Sequence, residues 1–201
     1  MTKSLIIATA GHTDHGKTQL IRAITGVNTD RLPEEQKRGI TIDLGYAYKT
    51  FQNGNTIGFI DVPGHRQFIK NMLAGVAGID TALLVVAAND GLMPQTLEHI
   101  SILNLLGFKK CLVAITKIDL VNKNQTSTIT KKVKTLLSNT SMSDADLFQL
   151  SSKSGEGLEK LVEALSTLTE KQDKKELCGN FRIPIDRVFS KKGEGLIVTG
   201  T

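Results

Sequence analysis

Apolar residues gather in short runs at 5–10, 57–61, 81–88, 111–116 and 147–151, each of strand length and separated by segments of helical character. This alternation predicts an α/β fold, a mostly parallel sheet with helices on both faces. The exception is the run 41–50. It is followed by Gln52-Asn53-Gly54-Asn55 and then at once by the next strand, and Asn-Gly between strands is a strong hairpin signal. The sheet is therefore expected to have six strands, one of them an antiparallel edge strand. Helices are predicted over 17–25, after a glycine-rich turn, over 94–106, where Pro94 suits a first turn, and over 155–168 and 126–138.

Residues 169–180 are rich in Lys and Glu without apolar periodicity and read as an exposed linker. Beyond it, 181–189 and 196–199 alternate like strands around Lys191-Lys192-Gly193-Glu194-Gly195. The expected division is a first unit over 1–170, a linker over 171–180 and the opening strands of a second, β-type unit over 181–201. A lone hairpin is marginal in water, so that second unit is incomplete here.

Composition narrows the picture only a little. With 40% hydrophobic and 22% charged residues, and no apolar run near the roughly 20 residues of a membrane-spanning helix, the chain is expected to be cytoplasmic and to have no membrane partner. The polar Gly11-His12-Thr13-Asp14-His15 after the first run does not resemble a signal-peptide cleavage region. Cys111 and Cys178 are expected to be free thiols. A net charge of +5 fits a phosphate-rich partner and equally fits many proteins without one. With no Trp and two Tyr, no platform for stacking single-stranded bases is evident.

The chemistry is concentrated at strand ends. Gly11-His12-Thr13-Asp14-His15-Gly16-Lys17-Thr18 lies between a strand and a helix and has the spacing of a phosphate-binding loop. In such a loop the backbone N–H groups of 12–18 and the helix N-terminus face the phosphates, Lys17 reaches the β- and γ-phosphates, and the Thr18 hydroxyl meets Mg²⁺. Asp61-Val62-Pro63-Gly64-His65 closes another strand, where Asp61 can serve the metal and Gly64 can turn its N–H to the γ-phosphate. His65 is either a surface histidine or the side chain that orients an attacking water. In Thr116-Lys117-Ile118-Asp119 the Asp119 carboxylate can accept from guanine N1–H and the N2 amine, neither of which adenine offers, and the Lys117 stem can lie along the base. Backbone N–H groups of Ser151-Ser152-Lys153 can meet guanine O6. The charged stretch 28–42, with Arg31, Glu34, Glu35, Lys37 and Arg38, ends in Arg38-Gly39-Ile40-Thr41 and reads as a segment ordered by the γ-phosphate through Thr41 on Mg²⁺.

In order along the chain, these strings resemble those of the translational GTPases related to elongation factor Tu, from Leu5 through Thr201. The likeness is strongest to bacterial selenocysteine-specific elongation factors, through Ile-Thr-Gly-Val-Asn-x-Asp-Arg-Leu-Pro-Glu-Glu and Gly-Ile-Thr-Ile-Asp-Leu-Gly-Tyr-Ala-Tyr. The resemblance implies a P-loop GTPase domain followed by the start of a β-barrel. It also implies binding of GTP and GDP with Mg²⁺, hydrolysis placed by His65, Thr41 and Lys17, and slow turnover until the ribosome stimulates it. Selenocysteinyl-tRNA is the implied aminoacyl-tRNA partner; a messenger RNA hairpin is bound in that family by C-terminal domains that this chain does not include. A selenol is an anion at neutral pH, so Arg187 and Tyr46 are candidates for the aminoacyl pocket. Two positions depart from the family pattern: Thr116 stands where an asparagine amide is expected to bridge the loop, and Thr13 stands where valine is expected to face Ile40 in an apolar gate. The alternatives are a general elongation or initiation factor, a GTP-dependent binding module with little hydrolysis, and a sulfate-assimilation accessory GTPase.

Overall fold

The computed structural model describes residues 2–38, 40–64, 78–171, 183 and 185–200. Strands β1 (Ser4–Ala10), β2 (Gly45–Thr50), β3 (Thr56–Asp61), β4 (Thr81–Ala87), β5 (Cys111–Thr116) and β6 (Asp146–Gln149) form one sheet in the order β2-β3-β1-β4-β5-β6. Only the edge pair β2–β3 is antiparallel, with Tyr46 opposite Ile60; the other four pairings are parallel. The expected sheet is thus observed, hairpin edge included.

The side-chain period of two divides the core between the two faces of the sheet. On one face Ala82, Leu84 and Val86 of β4 and Cys111, Val113 and Ile115 of β5 pack with Ile100 and Leu103 of α3 (Pro94–Leu105) and Val133 and Leu137 of α4 (Lys123–Leu137). On the other, Leu83, Val85, Leu112 and Ala114 meet Leu20, Ile21 and Ile24 of α1 (Lys17–Thr25) and Leu161 and Leu165 of α5 (Leu158–Glu170). Burial of each such Leu or Ile contributes about 1.5–3 kcal/mol, which is why the central strands are continuous apolar runs. Parallel pairing brings the C-terminal ends of β1, β3, β4 and β5 to one edge of the sheet, where an open α/β sheet offers a crevice.

Element boundaries differ from the sequence expectation for local reasons. Helix α4 starts at Lys123, not 126, because Asn122 and Gln125 form a reciprocal capping box, Asn122 Oδ1 accepting from Gln125 N at 2.9 Å and Gln125 Oε1 from Asn122 N at 3.2 Å. Helix α5 starts at Leu158, not 155, because Gly157 has φ +73° and a Cβ there would lie 2.1 Å from Gln149 O. It also continues through Glu170: Asn55 Nδ2 donates to the buried Thr169 Oγ1 at 3.1 Å and Asn53 Nδ2 to Glu170 Oε1 at 2.8 Å, tying the helix end to the β2–β3 turn. Residues 172–180, the rest of the expected linker, and with them Cys178, lie outside the described residues. The strand expected from 41 starts at Gly45, and a short helix α2 (Pro33–Arg38) interrupts the charged stretch before it. β7 (Ile185–Lys191) and β8 (Gly195–Gly200) form a separate antiparallel pair. Among the described residues no helix is long and apolar enough to cross a membrane.

Candidate nucleotide site

The phosphate loop connects β1 to α1 at that edge. Gly11, with φ +132°, lies so close to Val85 that a Cβ would stand 2.2 Å from its carbonyl oxygen, so only glycine allows the turn. Its N–H donates to His99 Nδ1 on α3 at 2.8 Å. Thr13 is held from the same helix, its N and Oγ1 reaching Gln95 Oε1 at 3.0 and 3.3 Å. Gly16, at φ +87°, is the N-cap of α1, and Asp14 also adopts a left-handed conformation. His12 and His15 meet edge to face with ring centroids 5.1 Å apart.

Lys17 is 5% exposed and its Nζ donates to Gly11 O at 3.0 Å and His12 O at 2.9 Å. Burial pushes its pKa down to about 8, against the opposing pull of Asp61, Asp14 and Asp30. Gly64 faces the loop: a Cβ there would fall 2.6 Å from Thr13 N and 2.7 Å from Lys17 Nζ, leaving that corner to a small ligand group. His15 and His99 are both buried, and burial pushes each down to about 4, helped by the positive charge of Lys17 and by His12. A neutral His99 is also what the Gly11 bond requires, since Nδ1 must accept.

Beside Lys17 the side-chain oxygens of Asp61, Asp30 and four threonines converge. Asp61, fully buried at the end of β3, accepts from Thr9 Oγ1 at 2.9 Å through Oδ1, and from Thr18 Oγ1 at 2.7 Å and Thr29 Oγ1 at 2.5 Å through Oδ2. Thr41 Oγ1 lies 3.0 Å from Thr18 Oγ1 and donates to Asp30 Oδ1 at 2.9 Å. Hard oxygen donors in this arrangement suit Mg²⁺. No group of three or more His, Cys, Asp or Glu that could hold a metal occurs among the described residues. Burial raises the Asp30 carboxyl above its ordinary range, aided by the nearby Asp61 and Glu35, while its Thr41 bond and Lys17 pull the other way.

A cavity of about 620 Å³ runs past Thr13, Asp14, Lys17, Thr18, Thr41 and Gly64 and meets a second, of about 400 Å³, at Gly16, Gln19 and Lys117. The second is lined by Thr116, Asp119, Ser151, Ser152 and Lys153. Lys117 adopts φ 56°, turning the chain into a single 3₁₀ turn, Ile118–Leu120, that carries Asp119. A hydrogen bond from Ser151 holds the Asp119 carboxyl below the usual range, reinforced by Lys153 and Lys117. Ser151 Oγ in turn accepts from Lys153 N and Ser154 N, each at 3.2 Å, shaping the loop.

The profile of the elongation factor Tu GTP binding domain matches residues 2–171. The chain belongs to this elongation factor Tu-type GTP-binding family. It is 53% identical over 197 residues to the selenocysteine-specific elongation factor of Escherichia coli, covering 98% of this chain and 32% of that protein. The crystal structure of a bacterial selenocysteine-specific elongation factor superposes with a TM-score of 0.91 at 38% identity, over 100% of this chain and 34% of the other. That of translation elongation factor SelB from Methanococcus maripaludis in complex with the GTP analogue GppNHp gives 0.85 at 29% identity, over 100% and 41%. The chain spans about a third of the length of the curated relatives it matches.

Of the expected positions, Thr13, Asp14, Gly16, Lys17, Thr18, Thr41 and Gly64 line the first cavity and Thr116, Lys117, Asp119, Ser151, Ser152 and Lys153 the second; His12, His15 and Asp61 line neither, and His65 lies outside the described residues. Thr116 does not leave the loop unbridged: its hydroxyl donates to His15 O at 2.7 Å, joining the base end to the phosphate loop as the missing amide was expected to. Thr13 and Ile40 line the same cavity. Tyr46 and Arg187 are not brought together in what is described. Tyr46 packs against the core with the Arg31 guanidinium 5.9 Å above its ring; Arg187 is opposite Thr199 on β7, and its side chain lies outside the described residues. Asp30, Thr29, Gln95 and His99 were not singled out from the sequence. A histidine on the buried face of a predicted helix was the one signal for His99; Asp30 and Thr29 reach the metal corner only through the path of the loop.

Proposed function

We propose that the chain is the GTP-binding and GTP-hydrolysing part of a selenocysteine-specific elongation factor, and that the whole protein delivers selenocysteinyl-tRNA to the ribosome. The observation that carries this reading is the groove itself. Buried Lys17 and the oxygens of Thr18, Thr41 and Asp61 converge at one end, and Asp119 with Lys117 stands at the other. The 53% and 49% identity to two bacterial selenocysteine-specific factors supports the choice of tRNA.

In this reading Asp119 accepts from the guanine N1–H and N2 amine, and the loop 151–153 meets O6. Phosphate oxygens replace the Gly11 and His12 carbonyls on Lys17 Nζ, and the contact restores the ammonium that burial weakens. Thr18, Thr41 and Asp61 would hold Mg²⁺, which would offset charge on the β- and γ-phosphates. Phosphoryl transfer to water passes through a loose transition state, so the contribution of the chain is positioning and charge. His65 and the backbone at Thr41 place the water, and Gly64 leaves room for the γ-phosphate.

Calorimetry on nucleotide-free chain with magnesium tests the first half: GTP and GDP bind at least roughly a hundredfold more tightly than ATP, and equal affinities overturn the proposal. Phosphate release from bound GTP on addition of ribosomes, lost in His65→Ala, tests the second. Release that is insensitive to this substitution would assign the water to another group.

A further inference from the structure

In the segment that brings Thr41 to the metal corner, one side chain accepts from four backbone N–H groups on both limbs. Glu35, on α2, is 2% exposed although it belongs to the most charged stretch of the chain. Its Oε2 accepts from Arg31 N and Leu32 N, both at 2.9 Å, and its Oε1 from Ile42 N at 2.9 Å and Asp43 N at 3.0 Å. One carboxylate therefore joins the two limbs of the loop, and its anchor on the second limb is the residue next to Thr41. The first limb carries Asp30, which receives the Thr41 hydroxyl. Arg31 adds outer support, its Nη2 reaching Leu44 O at 3.3 Å and its guanidinium lying over Tyr46.

The electrostatics of this corner work against such closure. Asp30, Asp61 and Glu35 are carboxylates of like charge, and Asp30 responds to both of the others. Burial alone raises the Glu35 carboxyl, but the backbone N–H groups of Asp43, Leu32, Ile42 and Arg31 outweigh it and hold the group below the ordinary glutamate range. A glutamine of the same shape has one acceptor oxygen, and its NH₂ would confront N–H donors on one limb. A neutral carboxamide therefore cannot close both limbs.

We propose that Glu35 is a positioning residue of the nucleotide switch: it joins residues 31–32 to residues 42–43 so that Thr41 stands at the metal corner before the triphosphate arrives, and so sets the preference for GTP over GDP. A loop folded in advance loses less freedom on binding, and only a ligand that contacts Thr41 through its metal gains from that saving. GDP, which lacks the γ-phosphate, has no such dependence. The inference rests on the guanine-nucleotide reading given above.

The test compares wild-type chain with Glu35→Gln and Glu35→Asp. Amide hydrogen exchange at Arg31, Leu32, Ile42 and Asp43 is read in nucleotide-free protein, and affinities for GDP and a non-hydrolysable GTP analogue are read by calorimetry with magnesium. In Glu35→Gln the four amides exchange about tenfold faster and the analogue binds about tenfold more weakly, the scale of a lost charge-assisted hydrogen bond, while GDP stays within about twofold. The shorter Glu35→Asp, still an anion, falls between the two. An equal loss for GDP and analogue would make Glu35 a fold residue only and overturn the proposal, as would an unchanged ratio. A wild-type chain that bound neither nucleotide would sink the nucleotide reading and this preference with it, whereas unchanged amide exchange in Glu35→Gln would sink the clip alone.

Discussion

The base end and the metal end of the groove are held in place by different means. At the base end, Lys117, Asp119 and Ser151 follow directly on β5 and β6, and short local bonds fix them: Leu150 N to Ile115 O at 2.9 Å, Ser151 N to Glu156 O at 2.9 Å, Thr116 Oγ1 to His15 O at 2.7 Å. At the metal end, Thr41 is carried by a long connection between α1 and β2; its hydroxyl is held by Asp30 and the next residue's N–H by Glu35, two carboxylates that repel one another. In the proposed reading the base end recognises guanosine whatever its phosphates are, and the metal end distinguishes the triphosphate. Substitutions at the first should thus weaken GDP and GTP together, and those at the second should separate them, as described for Glu35.

The largest effect expected at the base end comes from Asp119→Asn. An amide offers a donor where guanine N1–H and N2 also donate, so GDP and GTP affinities fall together by at least roughly a hundredfold, the loss of paired hydrogen bonds to a charged acceptor. Xanthosine nucleotides, which carry an oxygen in place of the N2 amine, should bind the variant better than the wild type. Competition calorimetry with all three nucleotides measures this; a selective loss of GTP with GDP intact would break the division between the ends.

A second effect comes from the wall between them. His15 belongs to the phosphate loop and His99 accepts from its Gly11 N–H, and each has a folded pKa near 4 against an ordinary value of 6.5. Because the folded value is the lower, the unfolded chain takes up the proton first as pH falls. Stability is complete above 6.5 and is lost between 6.5 and 4, by about 2 kcal/mol per histidine at pH 5. Urea unfolding of nucleotide-free chain at pH 7 and pH 5 measures the loss, and His99→Gln, which keeps an acceptor for Gly11 N–H without titrating, should reduce it by about half. A pH-independent midpoint in the wild type would refute the burial argument.

The base end and the phosphate loop were legible in the sequence because strand ends and glycine turns announce them. Gly11, Asp61 and Asp119 all lie within a few residues of an apolar run, and β4 and β5, buried at every position, stand out as unbroken apolar runs. The stretch 28–42 was legible as a charged segment expected to be ordered by the γ-phosphate through Thr41, but its internal bonding was not. Its order comes from Glu35 reaching backbone amides at 31, 32, 42 and 43, and no periodicity encodes which carboxylate finds which N–H. The same gap hid α2 and moved the start of β2 from 41 to 45. Capping errors were smaller and recoverable: Asn122-x-x-Gln125 was a readable start signal for α4.

Thr116 gives the smallest and sharpest test, because the base end owes its link to the phosphate loop to this hydroxyl. Thr116→Val keeps the β-branched shape in β5 but leaves the His15 carbonyl without the 2.7 Å donor it now has. The site is 2% exposed, so water does not readily replace the bond, and a net loss of about 1 kcal/mol follows. Since the bond connects the two sub-sites and touches neither ligand phosphate nor loop 28–44, GDP and GTP affinities should fall by the same factor, about fivefold. Thr116→Asn, with an amide long enough to span the same gap, should recover the difference. Should Thr116→Val weaken GTP alone, the hydroxyl would belong functionally to the triphosphate switch, and the boundary between the two ends would have to be drawn on the other side of β5.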